Sequence, residues 1–198
     1  MSNLITVEIL NIGDELLLGI RTNSHLTYLG KQLSLLGLKI DHCQVVPDNA
    51  DAIKTAFAIA TKRADIVIAT GGLGPTADDL TRESLAEVLE LKLIYNDAVF
   101  DSIKERFLRL GREVSEIHKK QCYQIDGSQL LKNDRGTAPG LFVKEDACEI
   151  FLLPGPTHEL IPMFQEQIVP YLKDKVCASE GQTYIQLRTC GIGESTVE

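Results

Sequence analysis

The chain has 198 residues, 44% of them hydrophobic, with 20 Lys plus Arg against 28 Asp plus Glu, a formal charge of −8 and a pI near 5.1. This supports one substantial domain with at most a small appendage, and the acidic balance without a basic block argues against nucleic acid and anionic membranes as partners. No apolar run nears the roughly 18 residues of a membrane span, the first residues lack the features of a secretion signal, and five separated cysteines without a C-x-x-C pair read as reduced thiols, so a cytoplasmic location is expected.

Strand-like and helix-like stretches alternate from the start, the pattern of a parallel sheet covered by helices on both faces. Leu4 to Ile12 reads as the first strand, followed by a helix capped at Asn23 or Ser24 with Leu26, Leu29, Leu33 and Leu36 at helical spacing and Gly37 at its end. Leu38 to Val46 is the second strand. A helix with Ile53, Ala56, Phe57 and Ala60 on one face leads to a third strand from Ala64 to Ala69. After the glycine-rich segment that follows come a helix through Leu80, Leu85, Val88 and Leu89, a short apolar run at Leu91–Tyr95, and a helix capped at Asn96 or Asp97 with an apolar face from Val99 to Leu110. Arg112–Tyr123 is expected to add a further helix, its His118, Lys119 and Lys120 reading as a solvated face. Short strands should surround residues 133–140. Glu149–Leu153 is a last buried strand, and Pro154-Gly155-Pro156 turns into a helix from Thr157 to Lys173 in which Pro162 is tolerable only in the first turns. Thr183–Cys190 reads as a new strand and Gly191–Ser195 as the opening of another helix. Residues 1–175 are thus expected as one domain, and residues 182–198 as the beginning of a region cut short.

The richest segment is Thr70-Gly71-Gly72-Leu73-Gly74-Pro75-Thr76-Ala77-Asp78-Asp79, which leaves the third strand and opens a helix. Three glycines let backbone N–H groups approach a phosphate, and the helix adds the positive end of its dipole. Asp78 and Asp79 would repel a bare phosphate, so their presence points to a divalent cation between protein and ligand; the plainer reading makes Thr76, Asp78 or Asp79 a helix cap. In an open parallel sheet ligands sit at the carboxyl ends of the strands. That edge also carries Gly13-Asp14-Glu15 with Asn23 close behind, and Pro154-Gly155-Pro156 with Thr157, His158 and Glu159. Asp14, Glu15, Asp78, Asp79 and Glu159 are therefore candidates to converge for metal-assisted attack on a phosphate anhydride. Taken singly, each has a simpler reading as a cap or first-turn acid. His158 reads most simply as solvent-facing, and Asp48 is a weaker candidate on the same edge. Asn133, Gly136, Thr137 and Gly140 fit either a close backbone approach or a hairpin turn. Neither G-x-G-x-x-G after the first strand nor G-x-x-x-x-G-K-[ST] occurs, and the loop at Gly71 contains no lysine, which removes most support for dehydrogenase-like or kinase-like chemistry.

These motifs together resemble the N-terminal domain of competence/damage-inducible protein CinA, within the molybdopterin-binding, MoaB/MogA-like superfamily. The resemblance rests on Ile12-Gly13-Asp14-Glu15-Leu16-Leu17 with Gly19 and Asn23, on Thr70–Thr76 with Asp78-Asp79-Leu80-Thr81, on Asn133 and Gly136–Gly140, and on Leu153–Pro156 with Glu159 and Met163. It implies an α/β fold, a three-layer α/β/α sandwich with a mostly parallel sheet. It also implies an ADP-ribose pyrophosphatase dependent on Co2+, Mn2+ or Mg2+ and activated by K+, and a tendency to self-associate as a homo-oligomer. Under it, Asn23, Thr70, Gly71, Gly72, Gly74, Pro75, Thr76, Gly136, Thr137, Pro154, Gly155 and Glu159 bind the nucleotide-like ligand, Asp78 and Asp79 hold the metal, and Asp14, Glu15 and Asp79 are catalytic. Two further readings share the pocket: a molybdopterin-binding protein of the molybdenum-cofactor type, and a non-catalytic nucleotide-sensing module. His158 departs from the pattern of relatives, which often carry a less polar residue there.

Overall fold

The computed structural model describes residues 5–177 together with Cys190, Gly191, Gly193 and Thr196. The expected start of the first strand at Leu4, the expected strand at 183–190 and most of the expected helix at 191–195 lie outside the described residues. A six-stranded sheet runs through the molecule in the order β2-β1-β3-β8-β7-β6. Its strands are β1 (Val7–Ile12), β2 (Ile40–Val46), β3 (Ile66–Thr70), β6 (Gln129–Leu131), β7 (Gly140–Glu145) and β8 (Cys148–Leu153). The first four in spatial order are parallel; β7 pairs antiparallel with both β8 and β6. The short strands expected around residues 133–140 are thus a hairpin on the edge of a mostly parallel sheet.

Alternation along the strands divides the core into two halves. Leu10, Ile12, Val67, Ala69, Ile150 and Leu152 face α3 (Ala50–Arg63) and α4 (Thr81–Val88). Val7, Ile9, Ile66, Ile68, Phe151 and Leu153 face α2 (Ser24–Leu35), α6 (Thr157–Met163) and α7 (Val169–Cys177). Strands buried on both faces read as continuous apolar runs, and three layers result. Of the residues at helical spacing, Leu29, Leu33, Ile53, Ala56, Phe57 and Ala60 are buried, and Leu26 and Leu36 are partly buried against the half of the core that holds Leu29 and Leu33. A short helix, α1 (Asp14–Leu17), follows β1 directly. An appendage of α5 (Asp97–Arg109) and the antiparallel ribbon of β4 (Leu93–Tyr95) and β5 (Tyr123–Ile125) has its own small core of Val99, Ile103 and Cys122.

Two helical expectations differ from the structure. Arg112–Tyr123 yields only a 3-10 turn, Glu116–Cys122. The helix after β8 extends to Cys177 and is interrupted by a π segment, Phe164–Ile168. That wider turn lies just ahead of Pro170, whose ring and missing N–H exclude an ordinary bond to residue 166. No helix among the described residues is long and apolar enough to cross a membrane.

Candidate functional site

The carboxyl ends of β1, β2, β3 and β8 deliver their loops to one cleft of about 680 Å³. Glu15, Asn23, Asp48, Gly71, Gly72, Asp78, Asp79 and Gly155 all line it, as the topology of the sheet demands. Arg21, Thr22, Ser24, His25 and Thr157 line it as well.

The glycine-rich turn is held from three sides. Gly71 N–H donates to Leu153 O at 3.0 Å, Thr81 N–H to Gly72 O at 3.2 Å, and the Thr81 hydroxyl to Gly71 O at 2.8 Å. Gly71 and Gly72 take positive φ of 99° and 66°; a Cβ on the first would meet the Ile12 carbonyl oxygen and on the second the Thr81 hydroxyl. Only glycine permits this backbone. The N–H groups of Gly72, Leu73 and Gly74 take part in none of these bonds, and of these residues Gly72 lines the cleft, where its N–H is a donor for an anion.

Asp79 closes the turn on itself. Its Oδ2 accepts from both the Thr76 N–H, at 2.9 Å, and the Thr76 hydroxyl. Asp78 stays exposed, its carboxyl held below the usual range by the Thr76 hydroxyl, its own backbone N–H and the Lys120 ammonium. Lys120, expected on a solvated face, instead reaches back 44 residues to donate to Thr76 O at 2.6 Å. Behind the turn lies Arg82, wholly buried, with its guanidinium nitrogens in no hydrogen bond and its nearest carboxylate, that of Glu83, at 3.9 Å. Burial works against its charge, and Glu83 and Asp79 favour it.

On the first two loops, Asp14 and Asp48 latch each other. Asp14 N–H donates to Asp48 Oδ2 at 2.9 Å and Asp48 N–H to Asp14 Oδ1 at 3.2 Å, so Asp14 lies outside the cleft lining and joins the two strand ends. Burial raises the Asp48 carboxyl above its ordinary value; the Asp14 N–H opposes this, and the charges of Asp14, Glu15 and Asp78 add to it. This crowding is the electrostatic signature of the site.

His25, in the first turn of α2, spans the cleft floor. Its Nδ1 lies 3.2 Å from the Thr70 hydroxyl and its Nε2 3.4 Å from the Thr157 hydroxyl, while Thr70 donates to the buried Asn11 at 3.4 Å. Burial pushes its pKa down against the opposing pull of the Gly155 backbone and Glu15, which favours the neutral ring. Asn23 accepts from Leu26 N–H at 3.0 Å and caps α2, whose positive end therefore opens onto the cleft. Arg21 and His25 flank Asn23 in sequence. The signal for them was their distance from Asn23 along a chain that must turn there.

Other candidates serve different places. Thr70 is buried in the His25–Asn11 chain and Pro154 is buried beside it in the third loop. Gly74, Pro75 and Thr76 form the outer part of the glycine-rich turn. Glu159 Oε2 accepts from Asn133 Nδ2 at 2.7 Å, and a Cβ at Gly136 would collide with the same carboxylate. Asn133 Oδ1 accepts in turn from Gly136 N–H at 2.7 Å, so both readings of residues 133–140, a hairpin and a close approach, describe it. Gly136 and Thr137 line a second depression of about 440 Å³ against α5 and not the main cleft. The His158 side chain is 71% exposed. Cys43 lies on edge strand β2, and Cys43, Cys122, Cys148 and Cys190 are free thiols.

Among the described residues, no group of three His, Cys, Asp or Glu side chains stands close enough to hold a metal ion unaided. The donor set instead fits a hard cation held by one or two carboxylates and completed by ligand phosphates, which suits Mg2+-type binding. The crowding of Asp48 by Glu15 and Asp78 is what such a cation would relieve.

The family profile described as a probable molybdopterin binding domain matches residues 8–174. A CinA-like protein of Dictyoglomus turgidum is 47% identical over 192 residues, covering 96% of this chain and 46% of its own length. The chain therefore spans about half the length of the curated relatives it matches. Among solved structures, the protein CinA of Thermoplasma acidophilum superposes with a TM-score of 0.76 at 27% identity over 83% of this chain and 98% of its own. The molybdopterin biosynthesis enzyme MoaB of Thermus thermophilus gives 0.53 at 17% identity over 86% and 98%, a likeness of fold alone.

Proposed function

The chain belongs to the molybdopterin-binding domain family, with CinA-like proteins as its sequence kin, and from that membership we propose that its cleft binds a phosphate-bearing nucleotide or pterin and cleaves the diphosphate of ADP-ribose to AMP and ribose 5-phosphate. The observation that carries the proposal is the meeting of the unengaged Gly72 N–H, the positive end of α2 and a crowded carboxylate set in one cleft. Amide donors and a helix terminus favour phosphate oxygens. The acids favour a cation shared with them.

Asp78, with Glu15 on the same cleft, would hold that cation, which supplies charge neutralisation on the phosphoryl oxygens when bound. Asp79 contributes only what its Thr76 clasp leaves free. The Gly72 amide helps to orient the diphosphate, and Asn23 fixes the start of α2 beneath it. Asp48, whose burial raises its affinity for protons, accepts the proton of an attacking water. His25 and Thr157 close the floor and exclude bulk water from one side of the ligand.

Purified protein with ADP-ribose, K+ and Co2+, Mn2+ or Mg2+ should release AMP, and the Asp78→Ala variant should lose at least tenfold of that rate. Absence of AMP above the variant's background ends the hydrolase reading. The molybdopterin-binding reading is favoured by the family profile itself, and calorimetry with molybdopterin against ADP-ribose separates the two by relative affinity.

A further inference from the structure

We propose that Arg21 is the residue that recognises the ligand's diphosphate, and that it makes the cleft prefer two linked phosphates over one. Among the described residues, four carboxylates line the cleft, those of Glu15, Asp48, Asp78 and Asp79, and Arg21 is the only lysine or arginine that does. Its backbone is pinned: the N–H groups of Ile20 and Arg21 both donate to Glu15 O, at 3.0 and 3.1 Å, and Ser24 N–H donates to Thr22 O at 2.8 Å just beyond. Its guanidinium, by contrast, enters no hydrogen bond or ion pair among the described residues, although four acids share its cleft. A fixed stem with an unengaged fork is the arrangement that bidentate phosphate binding needs.

The other two cations near the turn are already engaged or enclosed. Lys120 donates to Thr76 O at 2.6 Å and is absent from the cleft lining, and Arg82 is wholly buried behind the turn. Among the described residues, an anionic ligand entering beside four acids therefore meets one free positive group, Arg21. The Gly72 amide and the start of α2 can take one phosphoryl group, and the Arg21 fork a second linked to it. The inference rests on the reading of this cleft as a phosphate site but not on turnover there.

The test combines calorimetry with chemical footprinting on the intact chain. Inorganic pyrophosphate, ADP-ribose and AMP are titrated with Mg2+ into the native protein and into Arg21→Gln and Arg21→Lys. The native protein is also treated with phenylglyoxal, with and without each ligand, and modification at Arg21 is followed by peptide mass spectrometry with Arg106 and Arg109 as internal controls. Arg21→Gln should weaken pyrophosphate and ADP-ribose binding at least tenfold and AMP binding less than threefold, and Arg21→Lys should fall between. Pyrophosphate should slow Arg21 modification severalfold and leave the controls unchanged. Native-like affinity of Arg21→Gln, saturable binding that leaves Arg21 unprotected, or no pyrophosphate binding at all would each overturn the assignment. Protection of Arg21 without AMP release would remove the hydrolase reading and leave this one standing.

Discussion

Lys120 and Thr76 are joined across 44 residues by a 2.6 Å bond from ammonium to carbonyl, which ties the 3-10 turn of the appendage to the outer part of the glycine-rich turn. The appendage thereby becomes a brace for the cleft. Lys120→Met should leave the unfolding free energy within about 1 kcal/mol, as expected for an exposed charged contact. It should nevertheless speed hydrogen exchange of the 71–80 peptide and weaken ADP-ribose binding severalfold. Unchanged exchange in that peptide would refute the bracing role.

Asp79 offers a separable test of loop closure against cation binding. In Asp79→Asn the side-chain oxygen can still accept from Thr76 N–H, whereas Asp79→Ala removes both bonds, costing about 1 kcal/mol after allowance for exposure. If closure dominates, the Asn variant retains most pyrophosphate affinity and the Ala variant loses it. Equal loss in both, at equal thermal stability, would return Asp79 to the role of metal ligand.

Backbone shape at the turn makes its glycines unequal. Gly71→Ala drives a Cβ into the Ile12 carbonyl, a backbone atom, and Gly72→Ala drives one into the Thr81 side chain, which can rotate or be shortened. Each adds strain of about 1–3 kcal/mol from positive φ. Urea denaturation should rank Gly71→Ala as the more damaging, and Thr81→Ala should recover part of the loss in Gly72→Ala but none in Gly71→Ala.

His25 sets a pH dependence whose sign follows from burial. Its folded pKa lies below 6.5, so the unfolded chain binds this proton more readily. Stability is whole above pH 6.5 and falls as pH drops through 6.5 toward the folded value. Urea midpoints at pH 5.5 and 7.5 should differ less in His25→Gln than in the native chain. A larger difference in the variant would contradict the assignment of a neutral ring.

Much of this was legible in the residues themselves. Apolar spacing placed Leu29, Leu33, Ile53 and Phe57 inside, and the rule that parallel strands present ligand loops at their carboxyl ends brought Glu15, Asn23, Gly71, Asp78 and Gly155 to one cleft. What pattern could not supply was which way the acids turn. Asp79 points into its own loop, Asp14 joins Asp48, and Glu159 belongs to Asn133, because each carboxylate accepts from an N–H donor of its own or a neighbouring loop. Lys120 and Arg82 were illegible for a related reason. The partner of Lys120 lies 44 residues away, and the burial of Arg82 is made by the packed fold and not by its sequence neighbours Asp79 and Glu83, so a short run of sequence holds no record of either.

The tie from His25 to Thr157 spans 132 residues, and those from Thr70 to His25 and from Asp14 to Asp48 span 45 and 34. The first closes its long stretch of chain at an entropic cost met only once β8 has docked beside β3, whereas the other two need only the pairing of β1 with β2 and β3. Ligand affinity should consequently emerge last during refolding, after helical signal has returned, and it serves as a sensor of completed topology that no shorter piece of the chain can mimic.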